Sequence, residues 1–350
     1  MTLQENIPLA PFTTFGVGGP ARYFIAASDQ QEVLDAVRFA ADRSLPLFVL
    51  GGGSNLVVSD SGFPGVVLKI GLRGILEREE KGKRIFDVAA GEDWDSFVAL
   101  TVAQDCAGIE TLSGIPGSVG GTPVQNVGAY GQEVSETITS VRVLDMDSMQ
   151  VHDLGNGECG FAYRTSIFNS THRGRFIVLR VTYALTPGGK AKLTYADLQK
   201  RFADYPGTPP LATVRDAVRK IRHSKGMLIV EGDPDCRSAG SFFKNPIVSA
   251  NVYDDIVQAA QSMSIFGTPP KYPAGEGQVK LSAAWLVEHA GFKKGYGNGP
   301  VGISTKHTLA LVNRGGATAA DILALKQEVQ SGVQQKFGIE LIPEPVFLGF

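Results

Sequence analysis

The sequence predicts an α+β protein with two small α/β units followed by a third mixed unit. Residues 20–70 alternate between β-like and helical patterns, and a second such set begins near Gly71. The Pro-rich stretch from Tyr205 to Pro210 is the strongest linker signal before another helical region. With 350 residues and 43% hydrophobic content, the chain is long and apolar enough for two or three packed domains.

The first unit is predicted from residues 20–70. ARYFIAA is β-like, and residues 29–43 place apolar side chains at helical spacing. Ser28 and Asp29 are candidate N-caps, and Pro46 marks the region after the helix. LPLFVL and LVVSD are predicted as strands on either side of the sequence GGGSN.

The second and third units are predicted from the same kinds of pattern. RIFDVAAG, TSVRVLDMD and FIVLRVTYALT are β-rich, and DWDSFVALTVAQDC is helical. The third unit begins with the helical run TVRDAVRKIRHSK and ends near the helix ILALKQEVQSGVQQKF. We therefore expect units at residues 1–70, 71–212 and 213–325, followed by a C-terminal segment at residues 326–350.

Composition and charge argue against several classes of protein. A net charge of -2 and a pI of about 6.2 give no basic surface for nucleic acid. The three widely spaced cysteines and the histidine spacing predict neither a disulfide framework nor a metal site. We see no targeting segment and no apolar run of about 18 residues, so we expect a cytoplasmic protein that does not cross a membrane.

Glycine is enriched, with 42 residues that concentrate in three clusters. The clusters at Gly16–Gly19, Gly51–Gly53 and Gly114–Gly121 lie between apolar segments, where missing side chains let backbone amides approach a ligand. GGGSN is flanked by predicted strands and gains no help from a helix N-terminus. Its amides are therefore expected to form an anion-binding nest that suits a pyrophosphate.

GVGGPA at residues 16–21 formally matches the dinucleotide-binding fingerprint G-x-G-x-x-A. That fingerprint requires a strand before it and a helix that opens inside it. Here PFTTF precedes and the β-like RYFIAA follows. The context therefore rejects a Rossmann-type site.

Several motifs resemble one flavoprotein family. LGGGSNLVVSD followed by GIPGSVGGTPVQNVGAYGQE resembles the FAD-binding region of the UDP-N-acetylenolpyruvoylglucosamine reductase (MurB) family. CGFAYRTSIF, AGSFFKNP, KLSAAWLVEHAG and PEPVFLG resemble that family in the same order, so nearly the whole chain is covered. The resemblance implies a vanillyl-alcohol-oxidase (PCMH-type) FAD-binding fold for residues 1 to about 212, with FAD between two subdomains, and a third domain that binds substrate.

The resemblance also implies a reaction. NADPH reduces FAD, and the reduced flavin delivers hydride to the enolpyruvyl group of a UDP-N-acetylglucosamine ether, which forms UDP-N-acetylmuramate for peptidoglycan synthesis. No histidine lies in or near the glycine loops, so FAD is expected to be noncovalent. Two alternatives stay open: another FAD-dependent oxidase or dehydrogenase of the same superfamily that acts on a small alcohol or hydroxy acid, and a catalytically inactive flavin- or nucleotide-binding regulator.

Three catalytic residues are implied by the matching motifs. Arg164 in FAYRTSIF would bind the substrate carboxylate, because a guanidinium can bond both oxygens. Ser241 in AGSFFKNP would donate the proton, and Glu344 in IPEPVF would be the second electrophile. The C-terminal segment departs from the family pattern at Ile342 and Pro345, where glutamate and valine are usual. Glu344 is thus the only candidate in IPEPVF, and Glu340 is the fallback if the register differs.

The remaining assignments concern binding. The residues that the resemblance implies for FAD are Gly51, Gly52, Gly53, Ser54, Asn55, Ser113, Gly114, Ile115, Pro116, Gly117, Ser118, Gly120, Gly121 and Asn126. The implied substrate-binding residues are Tyr195, Lys225, Asn245 and Glu288. The segment between Lys225 and AGSFFKNP is longer than is usual in the family. LTPGGKAKLTY resembles the version of the family that carries a tyrosine loop over the substrate.

Three arginines share one predicted helical face. Arg215, Arg219 and Arg222 have i, i+4, i+7 spacing. A solvated surface is the favoured interpretation of this face.

Overall fold

The computed structural model describes all 350 residues, and their contacts divide the chain into two compact units. Unit 1 comprises residues 1–7, 21–53 and 63–224. Unit 2 comprises residues 8–20, 54–62 and 225–350. Each unit is therefore assembled from three separate stretches of chain.

The chain combines helices and strands, as predicted. The helices are α1 Gln30–Asp42, α2 Trp94–Ala103, α3 Ala196–Arg201, α4 Leu211–Ser224, α5 Ala250–Ser262, α6 Ala283–His289 and α7 Ala319–Phe337. The strands are β1 Leu3–Pro8, β2 Pro20–Ala27, β3 Leu47–Leu50, β4 Leu56–Val58, β5 Phe63–Ile70, β6 Ile75–Glu80, β7 Lys83–Ala89, β8 Cys106–Ala107, β9 Gly128–Ala129, β10 Gln132–Glu133, β11 Ile138–Asp145, β12 Gln150–Gly155, β13 Phe176–Pro187, β14 Ile247–Ser249, β15 Lys271–Pro273, β16 Gln278–Leu281, β17 Val301–Ile303, β18 Leu311–Asn313 and β19 Val346–Leu348. No helix combines the length and the apolarity needed to cross a membrane.

The first sheet of unit 1 has the strand order β1-β2-β5-β3. Strand β5 is parallel to both β2 and β3, and α1 lies between β2 and β3 in the chain. Asp29 caps α1 by accepting a hydrogen bond from the Glu32 N–H at 2.8 Å, as its position in the sequence predicts. Because the three strands run in one direction, Leu50 and its register partner Lys69 lie at the carboxyl edge of the sheet.

The second sheet of unit 1 has the order β12-β11-β13-β7-β6 and is antiparallel. Phe86 on β7 pairs in register with Tyr183 on β13. Both rings contact Phe97 of α2, at centroid distances of 5.7 and 5.2 Å, and Trp94 lies 5.9 Å from Tyr183. These buried aromatic contacts fix α2 on the sheet.

Helix α4 closes unit 1. It follows the Pro-rich stretch and buries Val214 and Val218 on one face. The expected domain start at residue 213 falls inside this helix, and the chain enters unit 2 only after Ser224. The observed division thus differs from the expected segments, because a Pro-rich loop here joins two helices of one unit.

Unit 2 has its own apolar core, formed mainly by α5, α6, α7 and the β17–β18 pair. Phe15, Phe242, Leu286, Ile303 and Val329 are all buried in it. Helix α7 begins with a reciprocal capping box between Thr318 and Asp321 and ends at Gly338 in the left-handed conformation. These local interactions define both ends of the helix.

The short segment 54–62 belongs to unit 2 because of two long-range contacts. Strand β4 pairs in parallel with β19 at the C-terminus. The Asp60 carboxylate accepts hydrogen bonds from the N–H groups of Ala319 and Ala320, at 2.7 and 3.0 Å. A carboxylate is stabilised at this end of a helix by the exposed N–H groups and the helix dipole.

The first glycine cluster serves backbone packing within unit 2. The Gly19 N–H donates to the Ser59 carbonyl at 2.8 Å, and an added Cβ on Gly19 would lie 2.1 Å from the Asp60 carbonyl oxygen. The expectation that this cluster opens space for a ligand is therefore wrong at Gly19, because the chain itself fills that space. Strand β2 follows the cluster, as the rejection of a Rossmann-type site required.

Most predicted elements are confirmed, including the strands on either side of GGGSN. The turn-rich segment between α5 and α6 also contains short strands. Residues 271–273 form β15 and residues 278–281 form β16. These two strands pair with each other, and β16 also pairs with β14. Pro273, Gly275 and Gly277 favour turns, so the sequence does not indicate these short strands.

Candidate functional site

The second glycine cluster, Gly51–Gly53, follows β3 at the carboxyl edge of the parallel sheet. An added Cβ on Gly52 would lie 2.4 Å from Gly117 Cα, and one on Gly51 would lie 2.9 Å from Ser118 Oγ. Any side chain on Gly52 would therefore displace the neighbouring backbone. The two loops are glycine-rich because their main chains approach each other closely.

Ser118 lies in the third glycine cluster and is 8% exposed. Its Oγ is buried and has no hydrogen-bond partner within the protein. A buried hydroxyl without a partner costs about 1–3 kcal/mol. Together with the closely packed glycines, this unpaired hydroxyl fits loops that hold a polar cofactor such as FAD.

Charged side chains hold the peptide groups on both sides of Gly114. Its N–H donates to Asp95 Oδ1 at 2.6 Å, and its carbonyl accepts from Arg222 Nε at 3.0 Å. Asp95 also forms ion pairs with Arg215, at 2.6 Å, and with Arg219. The interpretation of this arginine face as solvated is therefore wrong, because α4 packs beside α2 and directs the face at the glycine loop.

The electrostatics of this cluster follow from burial and pairing. Burial would raise the pKa of Asp95, but hydrogen bonds from Arg215 and Gly114 and the nearby positive charges hold that pKa below its ordinary value. Arg222 is 9% exposed, and burial lowers the pKa of its guanidinium, while Tyr130 acts in the opposite direction. The cluster therefore holds Asp95 ionised next to the loop.

Two of the implied FAD-binding residues use their side chains within the protein. Ser113 Oγ donates to the Glu110 carbonyl at 2.6 Å. Asn126 Nδ2 donates to Glu133 Oε2 at 2.9 Å and to the Ala162 carbonyl at 3.1 Å, and its Oδ1 accepts a backbone N–H. These side chains shape the loops, so any contact of theirs with FAD stays a prediction.

Arg164 occupies a tight turn. Ala162 and Thr165 exchange backbone hydrogen bonds of 2.9 and 3.1 Å, and Arg164 between them has φ of +55°. A non-glycine residue pays about 1–2 kcal/mol for this left-handed conformation. Its guanidinium donates to the Gly128 carbonyl at 2.8 Å, and its own carbonyl accepts from Asn169 at 3.1 Å. Such backbone strain is typical of functional positions.

Tyr195 precedes α3 and is 42% exposed. Its ring lies edge-on against the buried Tyr130, with the centroids 5.3 Å apart. One edge of the phenol is thus anchored in unit 1 while much of the ring faces solvent. An exposed aromatic ring on a loop is compatible with the implied tyrosine loop, and its role stays a prediction.

Unit 2 brings the segments of Ser241 and Glu344 together. The stretch Phe242–Lys244 pairs antiparallel with the stretch Ile342–Glu344 around a single bridge at Phe243 and Pro343. The backbone bonds run from the Lys244 N–H to the Ile342 carbonyl, at 2.9 Å, and from the Glu344 N–H to the Phe242 carbonyl, at 2.8 Å. Two segments far apart in the sequence, one that begins directly after Ser241 and one that ends at Glu344, are thus held side by side.

Asn55 connects the end of the GGGSN loop to the same region of unit 2. Its Nδ2 donates to the Glu344 carbonyl at 3.3 Å, and its own carbonyl accepts from the Val346 N–H at 2.9 Å. Pro343 and Pro345 flank Glu344 and restrict its backbone. The structure adds hydrogen bonds on both sides of Glu344.

The other predicted residues of unit 2 lie in varied settings. Asn245 Oδ1 accepts from the Ala283 N–H at 2.9 Å and so caps α6. Lys225 is half-buried directly after α4. Glu288 is exposed. Glu340, the fallback for Glu344, is also exposed.

Sequence reasoning missed Asp95 and Lys69, which both contact the glycine loops. Asp95 lies in the first turn of a predicted helix, where an acidic residue is ordinarily explained by the helix dipole. Lys69 breaks the apolar run VVLKI, and this break was the available signal.

Comparison with known proteins gives consistent results. Residues 21–153 match the family model of an FAD binding domain, and residues 233–348 match that of the UDP-N-acetylenolpyruvoylglucosamine reductase C-terminal domain. The chain is 51% identical over 353 residues to the UDP-N-acetylenolpyruvoylglucosamine reductase of Thermobifida fusca, which covers 99% of this chain and 98% of that protein. It is 48% identical to the enzyme of Streptomyces avermitilis, over 99% of this chain and 94% of the relative.

A solved structure extends this similarity to the fold. The UDP-N-acetylenolpyruvylglucosamine reductase of Thermus caldophilus superposes with a TM-score of 0.67 at 25% identity, over 99% of this chain and all of that chain. Together with the FAD binding domain, this superposition confirms the predicted fold class and the predicted FAD cofactor.

Replacing Asp95 by Asn should lower the free energy of unfolding by about 1–2 kcal/mol near pH 7, less than the 3–5 kcal/mol of a fully buried pair. The substitution keeps a hydrogen-bond acceptor for Gly114 but removes the charge that pairs with the arginines, and the Asp95 side chain is 24% exposed. Because the folded pKa is lowered, the stabilisation is full above the unfolded pKa of about 3.9 and is lost as pH falls through the folded value.

Urea unfolding of both proteins at a series of pH values measures this difference. The two unfolding free energies should converge as the solution becomes acidic, whereas the exposed control Asp42→Asn should match the parent protein throughout. A gap that is independent of pH would contradict the role of the Asp95 charge.

Proposed function

Because the chain belongs to the UDP-N-acetylenolpyruvoylglucosamine reductase family, we propose that Arg164, Ser241 and Glu344 carry out its reaction. The enzyme is an FAD-dependent oxidoreductase of peptidoglycan precursor synthesis. It reduces UDP-N-acetyl-3-O-(1-carboxyvinyl)-glucosamine to UDP-N-acetylmuramate. When bound, FAD accepts a hydride from NADPH and passes it to the enolpyruvyl group. The observation that carries this function is the 51% identity to one such reductase across 99% of the chain.

An oxidase or dehydrogenase of the same superfamily is the weaker alternative. Such an enzyme would share the FAD loops, but residues 233–348 match the C-terminal domain of the reductase. That domain carries Ser241 and Glu344. An inactive regulator is disfavoured because all three implied catalytic residues are present.

The glycine loops supply the FAD site in this proposal. The residues that would hold the diphosphate are the backbone amides of Gly51–Gly53 and of the loop from Gly114 to Gly121. The close packing of Gly52 on Gly117 and the unpaired Ser118 hydroxyl support this assignment. Asp95 and the arginines of α4 would keep the second loop in shape through Gly114.

Arg164 would bind the carboxylate of the enolpyruvyl group. Hydride addition to the double bond moves negative charge onto this carboxylate, and donors fixed beforehand stabilise the charge as it grows. The planar guanidinium suits both oxygens. The strained turn and the bond to Gly128 support the assignment, because they fix the position of Arg164 before substrate arrives.

Ser241 would protonate the carbon left electron-rich after hydride addition. A hydroxyl is a weak acid, so the step requires a basic intermediate and a site without bulk water. Glu344 would face the same intermediate and must then carry or share a proton to avoid repulsion. The antiparallel pairing of their two segments supports a common role.

The remaining residues would bind the UDP-sugar. Tyr195, Lys225 and Asn245 are assigned to its diphosphate and sugar; the Asn245 carbonyl oxygen caps α6, so its amide nitrogen would face the ligand. Glu288 has the least support because it is exposed. A cytoplasmic location and the lack of nucleic-acid binding stay predictions from the sequence.

The function is tested by mixing the reduced protein with enolpyruvyl UDP-N-acetylglucosamine in an anaerobic stopped-flow experiment. The flavin absorbance should return to the oxidised spectrum at the rate at which UDP-N-acetylmuramate forms. Small alcohols and hydroxy acids serve as controls for the alternative enzyme class. Flavin reduction by these controls, without reoxidation by the UDP-sugar, would contradict the proposal.

Replacing Ser241 by Ala should slow reoxidation by the UDP-sugar by at least about 10²-fold, the lower end of the usual contribution of a general acid. Reduction of FAD by NADPH should be nearly unchanged, because it needs no proton from Ser241. The two half-reactions are measured separately, with Ser249→Ala, a cap of α5 in the same unit, as the control. Equal slowing of both half-reactions would make Ser241 a structural residue.

Replacing Arg164 by Lys should slow substrate reduction far more than FAD reduction by NADPH. A point ammonium cannot bond both carboxylate oxygens in the plane that a guanidinium offers. The exposed Arg142, which pairs with Asp153 on β12, provides a matched arginine-to-lysine control. Near-normal turnover of Arg164→Lys would remove Arg164 from the reaction.

A further inference from the structure

Lys69 is a charged residue in an otherwise apolar strand. Its neighbours Val67, Leu68 and Ile70 in β5 are all buried. A lysine in such a run loses rotamer freedom and part of its hydration, and neither loss helps the strand to pack. The residue therefore calls for another explanation.

The ammonium of Lys69 lies at the Gly51–Gly53 loop. Its Nζ donates a hydrogen bond to the Gly51 carbonyl. Lys69 is also the register partner of Leu50, the last residue of β3, so both lie at the carboxyl edge of the parallel sheet. Ligands of open α/β sheets bind outside this edge.

The positive charge of Lys69 has no opposite charge to balance it in the protein. Burial lowers the pKa of its ammonium, and the nearby Arg73 lowers it further. Neither influence comes from a carboxylate, and the Gly51 carbonyl is neutral. A partly buried cation of this kind is stabilised by an anion that binds beside it.

A second observation points to a ligand at the same loop. An added Cβ on Gly51 would lie 2.9 Å from Ser118 Oγ, and this buried hydroxyl has no hydrogen-bond partner in the protein. A cation without an anion and a hydroxyl without a partner thus flank one glycine. Both are satisfied by an oxyanion.

We propose that Lys69 is an FAD-binding residue whose ammonium supplies the positive charge for the FAD diphosphate at the Gly51–Gly53 loop. The backbone amides of the loop donate hydrogen bonds but carry only partial charges. Lys69 adds a full positive charge at the loop. Its hydrogen bond to the Gly51 carbonyl fixes both the ammonium and the loop.

The test compares FAD with riboflavin, which has the same ring system but no phosphate. Apoprotein of the full chain is titrated with each flavin, and binding is followed by fluorescence. Lys69→Met should raise the Kd of FAD by about 10- to 100-fold, the range of a charge-assisted hydrogen bond. The Kd of riboflavin should change by less than about threefold, and Lys69→Arg should bind FAD nearly as well as the parent protein.

Lys83→Met is the matched control, since Lys83 lies in an exposed part of β7 and bonds Thr186 Oγ1 at 2.8 Å. Equal weakening of FAD and riboflavin would show that Lys69 only shapes the loop, and would overturn the proposal. An unchanged Kd of FAD with a raised KM for the UDP-sugar would assign the charge to the substrate diphosphate and would also overturn it.

A measurement on the parent protein keeps the proposal testable if Lys69→Met does not fold. The Kd of FAD should rise with salt concentration while that of riboflavin stays constant, because salt screens an ion pair with phosphate. The same salt dependence for both flavins would overturn the proposal.

Discussion

The shape of the Gly114–Gly121 loop depends on the hydrogen bonds that Asp95 and Arg222 form with Gly114. A glycine-rich loop has few side-chain contacts of its own, so its shape depends on contacts that other parts of the protein make with its peptide groups. Asp95 holds the N–H, Arg222 holds the carbonyl, and two more arginines neutralise the carboxylate. Helices α2 and α4 thus act together as the rigid support of a flexible sequence.

In unit 2, the positions of the loop segments are fixed by backbone pairing. The backbone pairing between Phe242–Lys244 and Ile342–Glu344 fixes the segments of Ser241 and Glu344 through main-chain atoms, and Asn55 holds the second segment from another direction. Positioning by the main chain leaves side-chain groups for chemistry. Both units therefore place the proposed catalytic residues on backbone that is held at more than one point.

Local patterns in the sequence were enough to predict helices α1, α2, α4 and α7, the glycine loops, and the strands β2, β3, β4, β7, β11 and β13. The cap at Asp29, for example, is a signal within four residues. The arginine face of α4 was misinterpreted because its partner, Asp95, lies 120 residues before Arg215. The contact between Asn55 and Glu344 spans 289 residues, so nothing near either residue could reveal it.

In the role proposed for Arg164, its left-handed backbone sets stability against function at one position. Glycine would adopt this turn without the steric cost that an arginine side chain brings, so a design procedure that rewards stability alone would replace the arginine. The turn is retained at a cost to the fold, and the network around Gly128 and Asn169 meets that cost. Thermostable descendants of this enzyme should therefore gain their stability elsewhere in the chain.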